Sequence, residues 1–336
     1  MEERPRLAVY WASGCGGCEA VFLDLGDRLL EIAQNYEISF FPLLCDTKLH
    51  SVEGFHDGAV DFTLITGAVR TTHDVAMVRT LRRVSKRLIA MGACSQLGSV
   101  VGLGNLTSAA EIMHTVYDGS DRSGKMPRNV TLTASGSLEL GGITEWVRPL
   151  DSIVPVDYAI PGCPPEADRL WEVLQLLRTS LVGDVELPGP GAVLGARDGT
   201  VCEECPLPQP EGPTRSFFRM HQVAPSQELC LLDQGLICSG PATRGGCGAL
   251  CPAAGAGCRG CYGGPPGIYD QGARMMAALA ALAGTGDGEA AETKEEQLRK
   301  HVEAEVSTLV DPVGTLYRYS FPVSLLARLG QEEDES

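Results

Sequence analysis

Residues Leu7–Cys18 read LAVYWASGCGGC: a short apolar run rich in β-favouring residues, then glycines carrying a pair of cysteines. The run is too short for a helix and is cut off by turn-forming residues, so it predicts a strand. Glu19–Gln34 follows with Val21, Phe22, Leu25, Leu29, Leu30 and Ile32 at helical spacing. Further strands are predicted at Ile38–Leu44, Asp61–Ile65, Leu88–Met91 and Val156–Ile160. Between them, Thr71–Lys86 places Val75, Val78, Leu81 and Val84 on one helix face, with Thr71 and Asp74 spaced as a capping pair. Pro164–Arg178 carries Ala167, Leu170, Trp171, Leu174 and Leu177 as a stripe, with its prolines at the tolerated start.

Strands alternating with amphipathic helices imply parallel β-α-β units. Right-handed crossovers then give an α/β fold, a flavodoxin-like doubly wound parallel sheet over residues 1–187. Leu103–Leu150 is less regular, with a helix expected near Ala109–Tyr117 and a hairpin around Val130–Leu140. Residues 188–200 turn to Gly and Pro and are read as a linker. Residues 201–336 form a loop-rich C-terminal domain. Val201–Pro266 holds eight cysteines and little periodicity, so it needs a staple, and metal is the available one. Helices are expected at Ile268–Leu282 and at Gln297–Leu309, the latter through Leu298, Val302, Val306 and Leu309. The closing QEEDES is a solvated acidic tail.

The chain has 336 residues, 44% hydrophobic and 21% charged, which suits a globular protein with a core. No apolar run reaches the ~18 residues of a membrane span, so no direct membrane anchor is expected. A formal charge of −16 disfavours nucleic acid. The opening MEERPRLAVYW lacks the basic and apolar regions of a signal peptide, which predicts a cytoplasmic protein. In a reducing cytoplasm, 13 cysteines point to metal ligands or redox thiols rather than disulfides.

Four cysteines follow predicted strands: Cys15 and Cys18 after the first, Cys94 in MGACSQ after the fourth, and Cys163 in IPGCPP after the fifth. Loops at the carboxyl ends of parallel strands converge, so three distant loops can gather four thiolates. Gly14, Gly16, Gly17, Gly92 and Gly162 would let backbone and N–H donors approach an inorganic cluster. The remaining set is Cys202, Cys205, Cys230, Cys238, Cys247, Cys251, Cys258 and Cys261, enough for two tetrathiolate sites. Cys45 is left over as a small buried hydrophobe. Zinc competes with iron–sulfur for any such set, and C-G-G-C alone also suits a thioredoxin-like dithiol.

These motifs resemble the small, electron-transferring subunit of NiFe hydrogenases over about residues 5–265. The carriers are Cys15/Cys18, Gly92-Ala93-Cys94 and Gly162-Cys163-Pro164-Pro165. Absence of a signal peptide, absence of an anchor and all-cysteine ligation bring it near the cytoplasmic methyl-viologen- or F420-non-reducing group. The resemblance implies three 4Fe–4S clusters. The proximal one falls to Cys15, Cys18, Cys94 and Cys163. The medial one falls to Cys247, Cys251, Cys258 and Cys261, and the distal one to Cys202, Cys205, Cys230 and Cys238. Many members have His where this chain has Cys202. Cys251 stands where members with a three-iron medial cluster have Pro.

The resemblance also implies a partner large subunit holding the Ni–Fe centre, because this chain lacks the duplicated C-x-x-C pairs that bind it. The acceptor would be a heterodisulfide reductase-like iron–sulfur or flavoprotein subunit. No catalytic residue is expected on this chain. Members often have Glu-Gly after the third strand; here it is Thr66-Gly67, so no acidic role passes to Thr66. Glu19 and Glu53 are read as helix-start or surface carboxylates. Two rivals remain: a complex I-type quinone-linked subunit, which usually has adjacent cysteines and lacks the eight-cysteine tail, and a zinc-stabilised scaffold without redox work.

Overall fold

In β1 (Arg6–Trp11), Leu7 and Val9 face one way and Ala8 and Tyr10 the other, and all four are buried. Side chains alternate across a strand, so a strand buried on both faces belongs inside a sheet covered twice. The computed structural model bears this out. It describes residues 4–118, 130–133, 136–181, 183, 185–210, 217–282 and 308–327. Two compact units divide the chain, Met1–Gly195 and Ala196–Ser336.

The first unit is built on β1, β2 (Glu37–Phe40), β3 (Val60–Thr66), β5 (Ser85–Met91), β9 (Tyr158–Ile160) and β10 (Ala192–Val193). The sheet order is β10-β9-β5-β3-β1-β2, and every pair in it is parallel. The order reverses direction between β1 and β3, the switch point of a flavodoxin-like sheet. On one face α1 (Gly17–Asp24), α2 (Arg28–Asn35) and α7 (Ala167–Leu181) bury Phe22, Ile32, Leu170, Leu174 and Leu177 against Leu7, Leu64 and Ile160. On the other, α3 (Leu49–Glu53) and α4 (Thr72–Val84) bury Val52, Val78, Leu81 and Val84 against Ala8, Ile65 and Leu88.

Thr71 and Asp74 form the expected capping box, the Asp74 backbone N–H donating to Thr71 Oγ1 at 3.0 Å. Two expectations change. The helix drawn over Glu19–Gln34 is two, separated where Gly26 takes the left-handed region at φ +58°. The Gly/Pro stretch 188–200 is more than a linker: Ala192–Val193 adds the sixth strand, and Leu194 is buried. Outside the main sheet, β4 (Val69–Thr71) pairs antiparallel with β8 (Ile143–Arg148). The hairpin expected near Val130–Leu140 is present as β6 (Val130–Thr133) and β7 (Gly136–Glu139). The helix α5 (Ala93–Leu97) starts two residues after β5, and α6 (Ala109–Met113) is shorter than expected, continuing as a single wider turn over His114–Asp118.

The second unit has little regular structure among its described residues: α8 (Leu250–Ala253), α9 (Gln271–Leu282), α10 (Pro312–Leu316) and short 3₁₀ turns. Asp270 anchors α9, accepting from the Ala273 N–H at 2.8 Å and from the Leu325 N–H at 3.0 Å. The amphipathic segment expected at Gln297–Leu309 and the acidic tail lie almost wholly outside the described residues. Among the described residues no helix is long and apolar enough to cross a membrane.

Candidate functional site

Three loops at the carboxyl ends of β1, β5 and β9 meet above the sheet. Ser13 and Ala68 exchange backbone hydrogen bonds at 3.0 and 2.7 Å, pinning the β1 loop to the turn after β3. The Gly92 N–H donates to Ile160 O and the Ala93 N–H to Gly162 O, both at 2.7 Å, which ties the β5 loop to the β9 loop. Cys15, Cys18, Cys94 and Cys163 thereby line one cavity of about 90 Å³, together with Trp11, Thr66 and Pro164.

Burial pushes the Cys18 thiol up, helped by the charges of Glu19, Cys94, Cys163 and Cys15. Burial, with Cys163, Cys15 and Glu19, pushes Cys94 up to about 11. Each resists becoming a thiolate unless a cation compensates, which is the condition of a metal site. The backbone leaves no spare room. A Cβ on Gly92, at φ +87°, would stand 2.5 Å from Cys18 Sγ, and one on Gly162, at φ +121°, would stand 2.6 Å from Pro165 Cα. The Gly17 N–H approaches Cys15 Sγ at 3.4 Å, a donor of the kind cluster ligands use.

Glu19 lies in the first turn of α1 but is not a surface carboxylate; it is 3% exposed. Thr66 donates its hydroxyl to Glu19 Oε1, and Glu19 Oε2 is buried with no hydrogen-bond partner. Burial raises its pKa against the opposing pull of Thr66. Sequence alone misses this because Glu19 and Thr66 lie 47 positions apart and meet only on folding. Glu53 is exposed at the end of α3. Cys45 lies beyond β2, packs at the edge of the core, and accepts from the Phe41 N–H at 3.0 Å.

In the second unit Cys202, Cys205, Cys230 and Cys238 all line a cavity of about 340 Å³. Burial, then Cys238, Cys230 and Cys205, push Cys202 up to about 12. Backbone N–H groups of Leu232 and Asp233 oppose the effect of burial at Cys230, and those of Gly240 and Cys258 oppose it at Cys238. Of the other four, Cys258 is buried and raised to about 12, first by burial, then by Cys238, with Cys247 also in reach. Cys251 is exposed on α8, and Cys261 is half-buried. The Cys258 N–H donates to Cys238 Sγ at 3.2 Å, so the two sets abut.

Glu204, from the C-E-E-C turn, accepts from the Gly246 N–H at 3.0 Å and the Ala249 N–H at 3.2 Å, and lies 3.6 Å from Cys247 Sγ. Gln271 is buried behind Cys258, donating to Thr243 Oγ1 and Gly260 O at 3.1 Å each. Neither residue shows in the cysteine spacing.

No disulfide joins any of the cysteines. Among the described residues no three His, Cys, Asp or Glu side chains close around a point that would hold a single metal ion. Cys15, Cys18, Cys94 and Cys163 line one cavity and Cys202, Cys205, Cys230 and Cys238 another, whereas a zinc site closes four thiolates about 2.3 Å from one ion. All-sulfur donors, sulfur-directed N–H groups and glycine cradles fit an iron–sulfur group.

Comparison with known proteins gives the same direction. The family described as NADH ubiquinone oxidoreductase, 20 Kd subunit, matches residues 15–177. The iron-sulfur subunit of an F420-non-reducing hydrogenase from Archaeoglobus profundus is 33% identical, over 96% of this chain and 97% of its own length. A vhu subunit of the F420-non-reducing hydrogenase from Methanocaldococcus jannaschii is 34% identical, over 94% of each chain. A solved structure of an NAD+-reducing NiFe-hydrogenase in the H2-reduced state matches 55% of this chain and 96% of its own, at 29% identity and a TM-score of 0.46.

Proposed function

From the premise that this chain belongs to the small, electron-transferring subunit family of NiFe hydrogenases, we propose that it relays electrons between the Ni–Fe centre of a partner large subunit and an acceptor subunit. Cys15, Cys18, Cys94 and Cys163 hold the proximal 4Fe–4S cluster. Cys247, Cys251, Cys258 and Cys261 hold the medial one, and Cys202, Cys205, Cys230 and Cys238 the distal one. Once bound, such clusters supply one-electron transfer at potentials set by ligand, hydrogen bonds to sulfur and burial. The single supporting observation is that four cysteines as far apart as positions 15 and 163, brought in by the carboxyl ends of three strands, line one cavity.

This chain's own groups do the positioning. Gly92 lets the β5 loop close over Cys18. Buried Glu19, held by Thr66, sets a polar wall beside the proximal cysteines. Glu204 fixes the Cys247 loop against the C-E-E-C turn. The acceptor is a flavin- or iron–sulfur-bearing chain of the heterodisulfide reductase type, and the complex works in the reducing cytoplasm, a setting that suits thirteen cysteines without a disulfide.

A second reading, a quinone-linked subunit of the complex I type, has the family description over residues 15–177 in its favour. Against it stand C-G-G-C in place of adjacent cysteines and relatives that span the eight-cysteine tail as well. Replacing Cys15 by Ala in the assembled complex tests the proposal. H2-dependent dye reduction is expected to vanish while the EPR signals of the two C-terminal clusters persist. Activity that survives the change contradicts the proximal assignment.

A further inference from the structure

The chain carries 43 acidic against 27 basic residues, yet one cavity of its second unit runs the other way. This cavity of about 330 Å³ is lined by Arg219, His221, Arg259 and Arg318, with Phe217 and Phe218 beside them. Arg259 and Arg318 are half-buried. No carboxylate among the described residues forms an ion pair with Arg219, Arg259 or Arg318. Arg318 donates through Nε to Gly314 O at 3.1 Å, and its two terminal nitrogens make no hydrogen bond to another described residue. Among the described residues the acid lining the wall is Asp311, which caps α10, Oδ1 accepting from the Gly314 N–H at 3.0 Å.

Three guanidiniums without an ion-pair partner among the described residues share one concave site, and their like charges favour a bound anion. Arginine's planar fork suits phosphate oxygens two at a time. Phe218 is 42% exposed, an aromatic face left open next to the cations. A volume near 330 Å³ falls in the range of small-molecule sites, about 300–1,000 Å³, and is too small for a folded protein element. Phosphate recognition beside an open aromatic face describes a phosphate ester of a planar ring.

We propose that this cavity binds a mononucleotide-class ligand, its phosphate on Arg219, Arg259 and Arg318 and its ring against Phe217 and Phe218. Arg259 stands between Cys258 and Cys261, so the ligand sits beside the loop of one cysteine set. The site does not depend on which metal those cysteines hold.

Calorimetric titration of the full chain in its complex, in phosphate-free buffer, tests this with AMP, FMN, adenosine and inorganic phosphate as probes. AMP or FMN should bind saturably with Kd below about 1 mM. Inorganic phosphate should bind about tenfold more weakly or worse, and adenosine should give no heat. Arg219→Ala with Arg318→Gln should weaken the mononucleotides at least about tenfold, and Phe218→Ala should weaken them without changing inorganic phosphate. For the unmodified chain, affinity should fall as NaCl rises from about 50 to 200 mM. No saturable binding, equal affinity for AMP and inorganic phosphate, affinity unchanged in the double variant, or affinity indifferent to salt each overturns the assignment.

Discussion

The two units use cysteine in opposite ways. In Met1–Gly195 the sheet and its helices bury two apolar clusters that owe little to sulfur, and Cys15, Cys18, Cys94 and Cys163 sit on loops and first helical turns at the carboxyl ends of the strands. In Ala196–Ser336 the buried positions include Cys238 and Cys258 themselves, regular structure is scarce, and the sulfurs take hydrogen bonds from the turns around them. On the proposed function, the first unit would be a fold that carries a metal site, and the second a set of metal sites that carry a fold.

Removing metal should separate the units most sharply. Structural metal supplies on the order of 10 kcal/mol to small domains that need it. Anaerobic chelation should therefore abolish amide-exchange protection across residues 196–210 and 217–282, while β3 and β5 keep theirs. Equal loss in both units would break the contrast. The next effect runs the other way. Leu88 is fully buried between β5 and α4, so Leu88→Ala should cost about 2–5 kcal/mol in the urea unfolding of the first unit and leave the C-terminal signals unchanged. Smaller still, Gly92→Ala forces a Cβ against Cys18 Sγ at φ +87°. It should cost about 1–3 kcal/mol and perturb the proximal signal alone.

The sequence displays the first unit well because its information is local. Strand runs, helix periodicity and the Thr71–Asp74 pair are each visible within a dozen residues, and the cysteines directly follow strand ends. The break at Gly26 and the late strand Ala192–Val193 are less legible. A glycine can sit in a helix or end one, and a two-residue strand has no period to detect. The site's carboxylates are hidden for a different reason. Whether Glu19 is buried or solvated depends on Thr66, and whether Glu204 caps a loop depends on Gly246 and Ala249, all brought near only by folding. In the second unit cysteine spacing suggests sets of four, but the three-arginine cavity draws on residues from 217 to 318 and has no linear signature.

The central claim is that twelve cysteines gather three iron–sulfur cubanes. Counting iron, acid-labile sulfide and zinc per chain in the anaerobically purified protein tests it most directly. The account predicts about twelve irons with matching sulfide and no stoichiometric zinc. Three or so zincs per chain, without iron or sulfide, would contradict it.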